Sequence, residues 1–160
     1  MPKNRSIKVC HVNIRSLCAP SHLLDLEILP TSHSTCIDVL CLCETWLSSS
    51  KASSTVSIPS FQPPIRCDRS GCRGGGVAIF VKSGLAVQVC SLVPTFSFEY
   101  LCADIHVNKR GKNTVIVIYQ PPGRVTESFE SELDYVLNLA QGQSQAPICV
   151  VGNFNARVSD

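Results

Sequence analysis

Two short segments constrain this chain more than anything else in it. In "DVLCLCE" (38–44) and "TVIVIY" (114–119), apolar residues stand side by side without alternation, then stop abruptly. Strands covered on both faces read this way, so the sheet they build lies inside a layered structure. Further strands are predicted at Ile7–Ile14, Val77–Lys82, Leu85–Cys90, Glu99–Val107 and Ile148–Val151. In the fourth of these, Leu101, Ala103, Ile105 and Val107 alternate with Cys102, Asp104 and His106, the pattern of a half-buried strand. Helices are predicted at Ser21–Leu29, stopped by Pro30, and at Thr126–Gln141. The second carries an apolar stripe of Phe129, Leu133, Val136, Leu137 and Ala140, with Thr126 as cap, Glu127 and Glu130 near its positive end, and Gly142 to finish it. Strands interleaved with helices give an α/β layered fold.

The 160 residues suffice for one domain. Hydrophobic residues make up 44% and charged residues only 16%, a balance that excludes intrinsic disorder. No apolar run reaches the 18 or so residues of a membrane span. Lys8, His11, Asn13 and Arg15 interrupt any leader-like stretch, so an intracellular protein, nuclear or cytoplasmic and not secreted, is expected. The formal net charge is +2, which is no electrostatic footprint for non-specific DNA binding. Any nucleic-acid partner must be met by a local site. Of the ten cysteines, Cys10, Cys41, Cys43, Cys90, Cys102 and Cys149 lie inside apolar runs, where a reduced thiol acts as a small hydrophobe. Cys41-x-Cys43 and Cys67-x4-Cys72 lack zinc-site spacing.

Polar groups stand at the far ends of four apolar strands: Asn13, Glu44, Tyr119 and the Gly152–Asn155 segment. The rim of an α/β sheet is where groups from separate strands converge on a ligand. Glu44 directly follows "VLCLC", and a carboxylate there is costly to bury without a positive partner. Magnesium suits it, as a hard cation that takes one or two carboxylates and keeps several waters; a capping role or an arginine pair is the alternative. Asn13 reads as a ligand or a turn residue, and Tyr119 as a ligand contact or a packed aromatic. Asn153 and Asn155 can hold a phosphate or a water, yet neither can take a proton as a carboxylate does. "RGGG" (73–76) lacks the ending of a P-loop and leads into a strand, so no phosphate cradle is expected. Arg66, Arg69 and Arg73 read as a solvated turn, with a contact to a phosphate backbone as the alternative.

The ordered set "NIRSL", "CLCETWL", "RGGGVAIFVK", "VIYQPP" and "VVGNFNAR" resembles the endonuclease/exonuclease/phosphatase family, and within it the endonuclease domain of LINE-type (non-LTR) retrotransposons. The resemblance spans residues 7–157. It implies a two-sheet α/β sandwich, a DNA phosphate backbone as substrate, magnesium or manganese as cofactor, no small-molecule cofactor, and a reverse transcriptase domain as partner in an intact relative. It implies that Asn13 and Glu44 serve the metal, that Tyr119 contacts the scissile phosphate, and that Asn155 is the amide of the family's G-D-F-N motif.

The chain departs from that pattern in two places. Asn153 stands where the family has the Asp that activates or orients the attacking water. The family's further strands and closing Ser-Asp-His segment are not matched, and none of His11, His22, His33 or His106 has the context to replace that His. The expectation is therefore a truncated, inactive or impaired phosphodiesterase. The alternatives are a catalytically dead nucleic-acid-binding remnant and a decayed gene fragment without activity.

Overall fold

A computed structural model describes residues 6–32, 36–71, 74–107, 111–123, 128–143 and 146–155. The chain forms strand β1 (Val9–Asn13), helix α1 (Pro20–Ser32), strands β2 (Val39–Cys43), β3 (Ile65–Cys67), β4 (Val77–Val81), β5 (Ala86–Val89), β6 (Glu99–His106) and β7 (Lys112–Tyr119), helix α2 (Ser128–Gln143) and strand β8 (Ile148–Asn153). Two four-stranded sheets result, one ordered β1-β2-β4-β3 and the other β5-β6-β7-β8.

The inner layer lies between the sheets. Val39, Cys41 and Cys43 of β2 and Val77, Ile79 and Val81 of β4 pack against Leu101, Ala103 and Ile105 of β6 and Val115, Val117 and Tyr119 of β7. The intervening residues point outward to the helices. Leu40, Leu42, Ala78 and Phe80 meet Leu26 of α1, while Tyr100, Cys102, Ile116 and Ile118 meet Val136 and Ala140 of α2. This is the two-sheet α/β sandwich that the family resemblance implied, and the unbroken apolar runs are covered on both faces as expected: β2 and the last six residues of β7 are buried throughout. Reduced cysteines fill part of this core, as their settings implied; Cys41, Cys43 and Cys102 are buried and Cys10, Cys90 and Cys149 half-buried.

Several expectations are corrected. Strand β6 is not half-buried but covered on both faces, because α2 takes the side that alternation assigned to solvent. Asp104 on that face is buried against Thr114 and Lys112, whose hydrogen bonds replace the lost water. Pro30 does not end α1, which runs on to Ser32; near a C-terminal end a proline forfeits one i→i−4 bond and leaves the remaining turn intact. Gly142 does not end α2, which continues to Gln143. Thr126 and Glu127 lie outside the described residues. The turn around Arg66 hides strand β3, antiparallel to β4, which only three residues and a neighbouring strand define. Among the described residues, no helix is long and apolar enough to cross a membrane.

Two parallel pairings position the candidate site. Strand β1 runs beside β2 with Asn13 opposite Cys43, and β7 runs beside β8 with Tyr119 opposite Asn153. All four strands finish at the same rim.

Candidate functional site

Asn13 ends β1 and Glu44 follows β2 by one residue, so the parallel register brings their side chains together. Asn13 Nδ2 donates to Glu44 Oε1 at 3.0 Å. With its nitrogen spent on the carboxylate, the amide presents Oδ1 on its other side, and this oxygen is buried with no hydrogen-bond partner among the described residues. A buried acceptor left in that state costs roughly 1–3 kcal/mol. It needs a partner that a cation supplies well.

Tyr119 ends β7 and reaches the same place from the second sheet. Its phenol is pushed above the usual tyrosine range, first by burial, then by the nearby Glu44 carboxylate. The phenol therefore stays protonated at neutral pH and acts as a donor. Arg69 lies over its ring, 5.5 Å from guanidinium carbon to centroid. Strand β8 closes the group. Gln120 N–H donates to the Asn153 carbonyl at 2.9 Å, and Asn155 Nδ2 donates to the Gln120 carbonyl at 2.7 Å. The Asn153 side-chain oxygen accepts from Asn155 N–H at 3.3 Å. Asn13, Glu44, Tyr119, Asn153 and Asn155 thus share one rim, with Glu44 hydrogen-bonded to Asn13.

Sequence reasoning missed the support for this group. Cys43 Sγ donates to the Ile118 carbonyl at 3.2 Å and joins the two sheets directly behind Glu44. His11 Nε2 sits 3.3 Å from the same sulfur, and burial holds its pKa below the usual histidine value. Glu99 receives Arg69 on one oxygen and Gly76 N–H, at 2.5 Å, on the other. No local signal marks Glu99, which opens a strand; only the packing of its sheet against the sheet of β3 and β4 brings it here. The arginines do not form a solvated turn. Arg66 chelates Asp68 and caps the carbonyls of Lys51 and Ser48 at 2.8 and 2.7 Å, and Arg69 is held by Glu99. Arg73 lies outside the described residues. In the glycine segment, the Gly75 and Gly76 carbonyls accept from Trp46 and Thr45 N–H, and Gly76 N–H serves Glu99.

The donor set fits a hard, hydrated cation. Glu44 offers one carboxylate and Asn13 Oδ1 a buried carbonyl-type oxygen, a complement that magnesium or manganese completes with water and substrate oxygens. Among the described residues, no group of three or more His, Cys, Asp or Glu could enclose a metal, so an all-protein cage is not formed.

The two-sheet α/β sandwich with an Asn–Glu pair and a tyrosine gathered at one rim defines the structural class of this chain. The family model described as "Endonuclease/Exonuclease/phosphatase family" matches residues 10–160, and the chain belongs to that family. Among solved structures it is similar to the endonuclease domain of TRAS1, a telomere-specific non-LTR retrotransposon (TM-score 0.64, 15% identity, 96% of this chain and 61% of that one). It is similar to TDP2 from Caenorhabditis elegans (TM-score 0.61, 14% identity, 96% and 49%). It is also similar to the 3′ phosphatase NExo from Neisseria bound to a product DNA hairpin (TM-score 0.62, 18% identity, 94% and 58%). At these identities the likeness is one of fold. The chain spans about half to three-fifths of the length of these structures. No curated protein matches it in sequence.

Proposed function

We propose that this rim holds a phosphodiester of DNA beside one divalent cation, magnesium or manganese, and that the chain is a retrotransposon-type endonuclease domain whose hydrolytic step is impaired. The partnerless, buried Asn13 Oδ1 beside the Glu44 carboxylate carries this reading, since a cation is what that oxygen lacks. A bound cation would polarise a phosphoryl oxygen and offset the charge that develops on it.

The chain's own residues supply the remaining parts. Asn13 orients Glu44 through Nδ2 and keeps Oδ1 for the metal. Tyr119, protonated, faces the Glu44 carboxylate and is available to donate to a phosphate oxygen. Asn155 ties the end of β8 to the Gln120 carbonyl and so fixes where Asn153 stands. Asn153 is the weak member. Its amide orients a water but does not accept the water's proton, and losing a general base costs about 10²–10⁴ in rate. The retrotransposon reading brings with it a reverse transcriptase domain as partner and an intracellular place of action; the fold likeness to the TRAS1 domain supports it.

A second reading, a nucleic-acid binder without turnover, keeps the same contacts and is favoured by the amide at position 153. Supercoiled plasmid incubated with the chain and magnesium distinguishes them. Slow nicking that is lost in Glu44→Ala supports an impaired endonuclease. Salt-dependent DNA binding without nicking supports the binder. Fast nicking overturns the impairment, and no binding at low salt overturns both readings.

A further inference from the structure

The loop between β5 and β6 presents a phenylalanine to solvent beside the site. Phe96 is 84% exposed, while Phe98, two residues on, is buried edge-on against Phe129 and Tyr100, with ring centroids 5.5 and 5.8 Å away. Scattered exposed apolar residues need no explanation in general. Here the loop is built to hold this one still. Glu132 of α2 accepts from Phe96 N–H and Ser97 N–H, both at 3.0 Å, and from Ser97 Oγ at 2.7 Å. Those three donors hold its carboxyl below the usual glutamate range, although burial acts against ionisation. Thr95 Oγ1 donates to the Phe98 carbonyl at 2.5 Å, and Val93 N–H donates to the Tyr100 hydroxyl at 2.8 Å.

Phe96 stands at the lip of a cavity of about 280 Å³ lined also by Asp68, Arg69, Thr95, Glu99 and Pro121. That volume is at the small end for a ligand pocket. The cavity shares Arg69 with the site, since the same guanidinium lies over Tyr119. Its described lining carries two carboxylates against one guanidinium, so it does not suit a second phosphate. An uncharged, planar group with donor edges suits it.

We infer that this cavity receives a nucleobase next to the scissile phosphodiester, and that Phe96 is its stacking platform. The inference rests on the phosphodiester reading above and names how the strand is held. Stacking is indifferent to base identity, so Phe96 would grip unpaired strand without selecting sequence. A base in a duplex must unstack to reach it, which favours frayed or single-stranded DNA.

The test compares two strands of equal length, one an ordinary single-stranded oligonucleotide and one with the bases removed, titrated by fluorescence anisotropy into the chain and its F96A and F96W variants. The expected result is about 10-fold tighter binding of the base-bearing strand by the unaltered chain, within what stacking one base supplies. F96A erases that preference and F96W keeps it. A base analogue whose fluorescence is quenched by stacking should dim with the unaltered chain and not with F96A. Equal binding of both strands, or a preference that survives F96A, overturns the stacking role and leaves the phosphodiester reading standing. Failure to bind either strand overturns both. The side chain is almost wholly outside the core, so F96A is expected to fold.

Discussion

The Cys43 thiol donates to the Ile118 carbonyl across the gap between the sheets, one residue before Glu44 and one before Tyr119. Those neighbours are the acidic and phenolic members of the rim, so this bond fixes their separation. Cys43→Ala removes this donor between the sheets and opens a small void. A loss of about 1–3 kcal/mol is expected in urea unfolding. Cys43→Ser keeps a donor and should cost less.

Thiol reactivity follows from the same burial. The Cys43 pKa is raised to about 12, chiefly by burial, with the nearby Asn153 backbone acting against it. Burial also raises Cys41 and Cys102. A chromogenic disulfide reagent near pH 8 should label the exposed Cys18 and Cys36 quickly and reach Cys41, Cys43 and Cys102 only after denaturation.

Acid should weaken the β6–β7 pair. Burial opposes ionisation of Asp104, but hydrogen bonds from Lys112 at 2.6 Å and Thr114 at 2.7 Å outweigh it and hold the carboxyl below its usual value. A carboxylate depressed in the folded state stabilises above its unfolded pKa, near 4, and loses that contribution as pH falls through the folded pKa. Unfolding midpoints should therefore fall below about pH 4. Asp104→Asn should flatten this dependence at a cost of roughly 1–2 kcal/mol at neutral pH.

Gly152 marks a close approach. A methyl group at this position of β8 would overlap the Ile118 carbonyl. Gly152→Ala should push β8 from β7, destabilise by about 2 kcal/mol or more, and displace Asn153. Amide exchange across the β7–β8 ladder would report the change.

Asn153→Asp tests the altered motif. The side-chain oxygen already accepts from Asn155 N–H, and a carboxylate accepts that bond more strongly, so the fold should be retained. A second carboxylate at the rim should tighten manganese binding, read by the loss of the free-ion paramagnetic signal, and should raise the nicking rate. Unchanged metal affinity would remove Asn153 from the metal's surroundings.

The inner layers were legible because burial on both faces writes itself as uninterrupted apolar sequence, as in 39–43 and 114–119. Asn13, Glu44 and Tyr119 were legible as polar stops on such runs. Glu99 and Arg69 were not, since their meeting is made by the packing of one sheet on the other and leaves no spacing to read. Strand β3 went unseen because Ile65–Cys67 pairs with one neighbour and carries no period of its own. Asp104 misled, because alternation records polarity and is silent about Lys112 and Thr114, which the neighbouring strand supplies to bury it.

Around the rim, Arg15, Ser16, Glu44, Trp46 and Asn155 all adopt positive φ, at 48°, 98°, 56°, 55° and 42°. For residues with a side chain each such turn costs on the order of 1–3 kcal/mol, and asparagine tolerates it best. The scaffold keeps these turns under tension much as a frame keeps a string taut. On warming, such a region should slacken first, so recognition should fade several degrees before the sandwich itself melts.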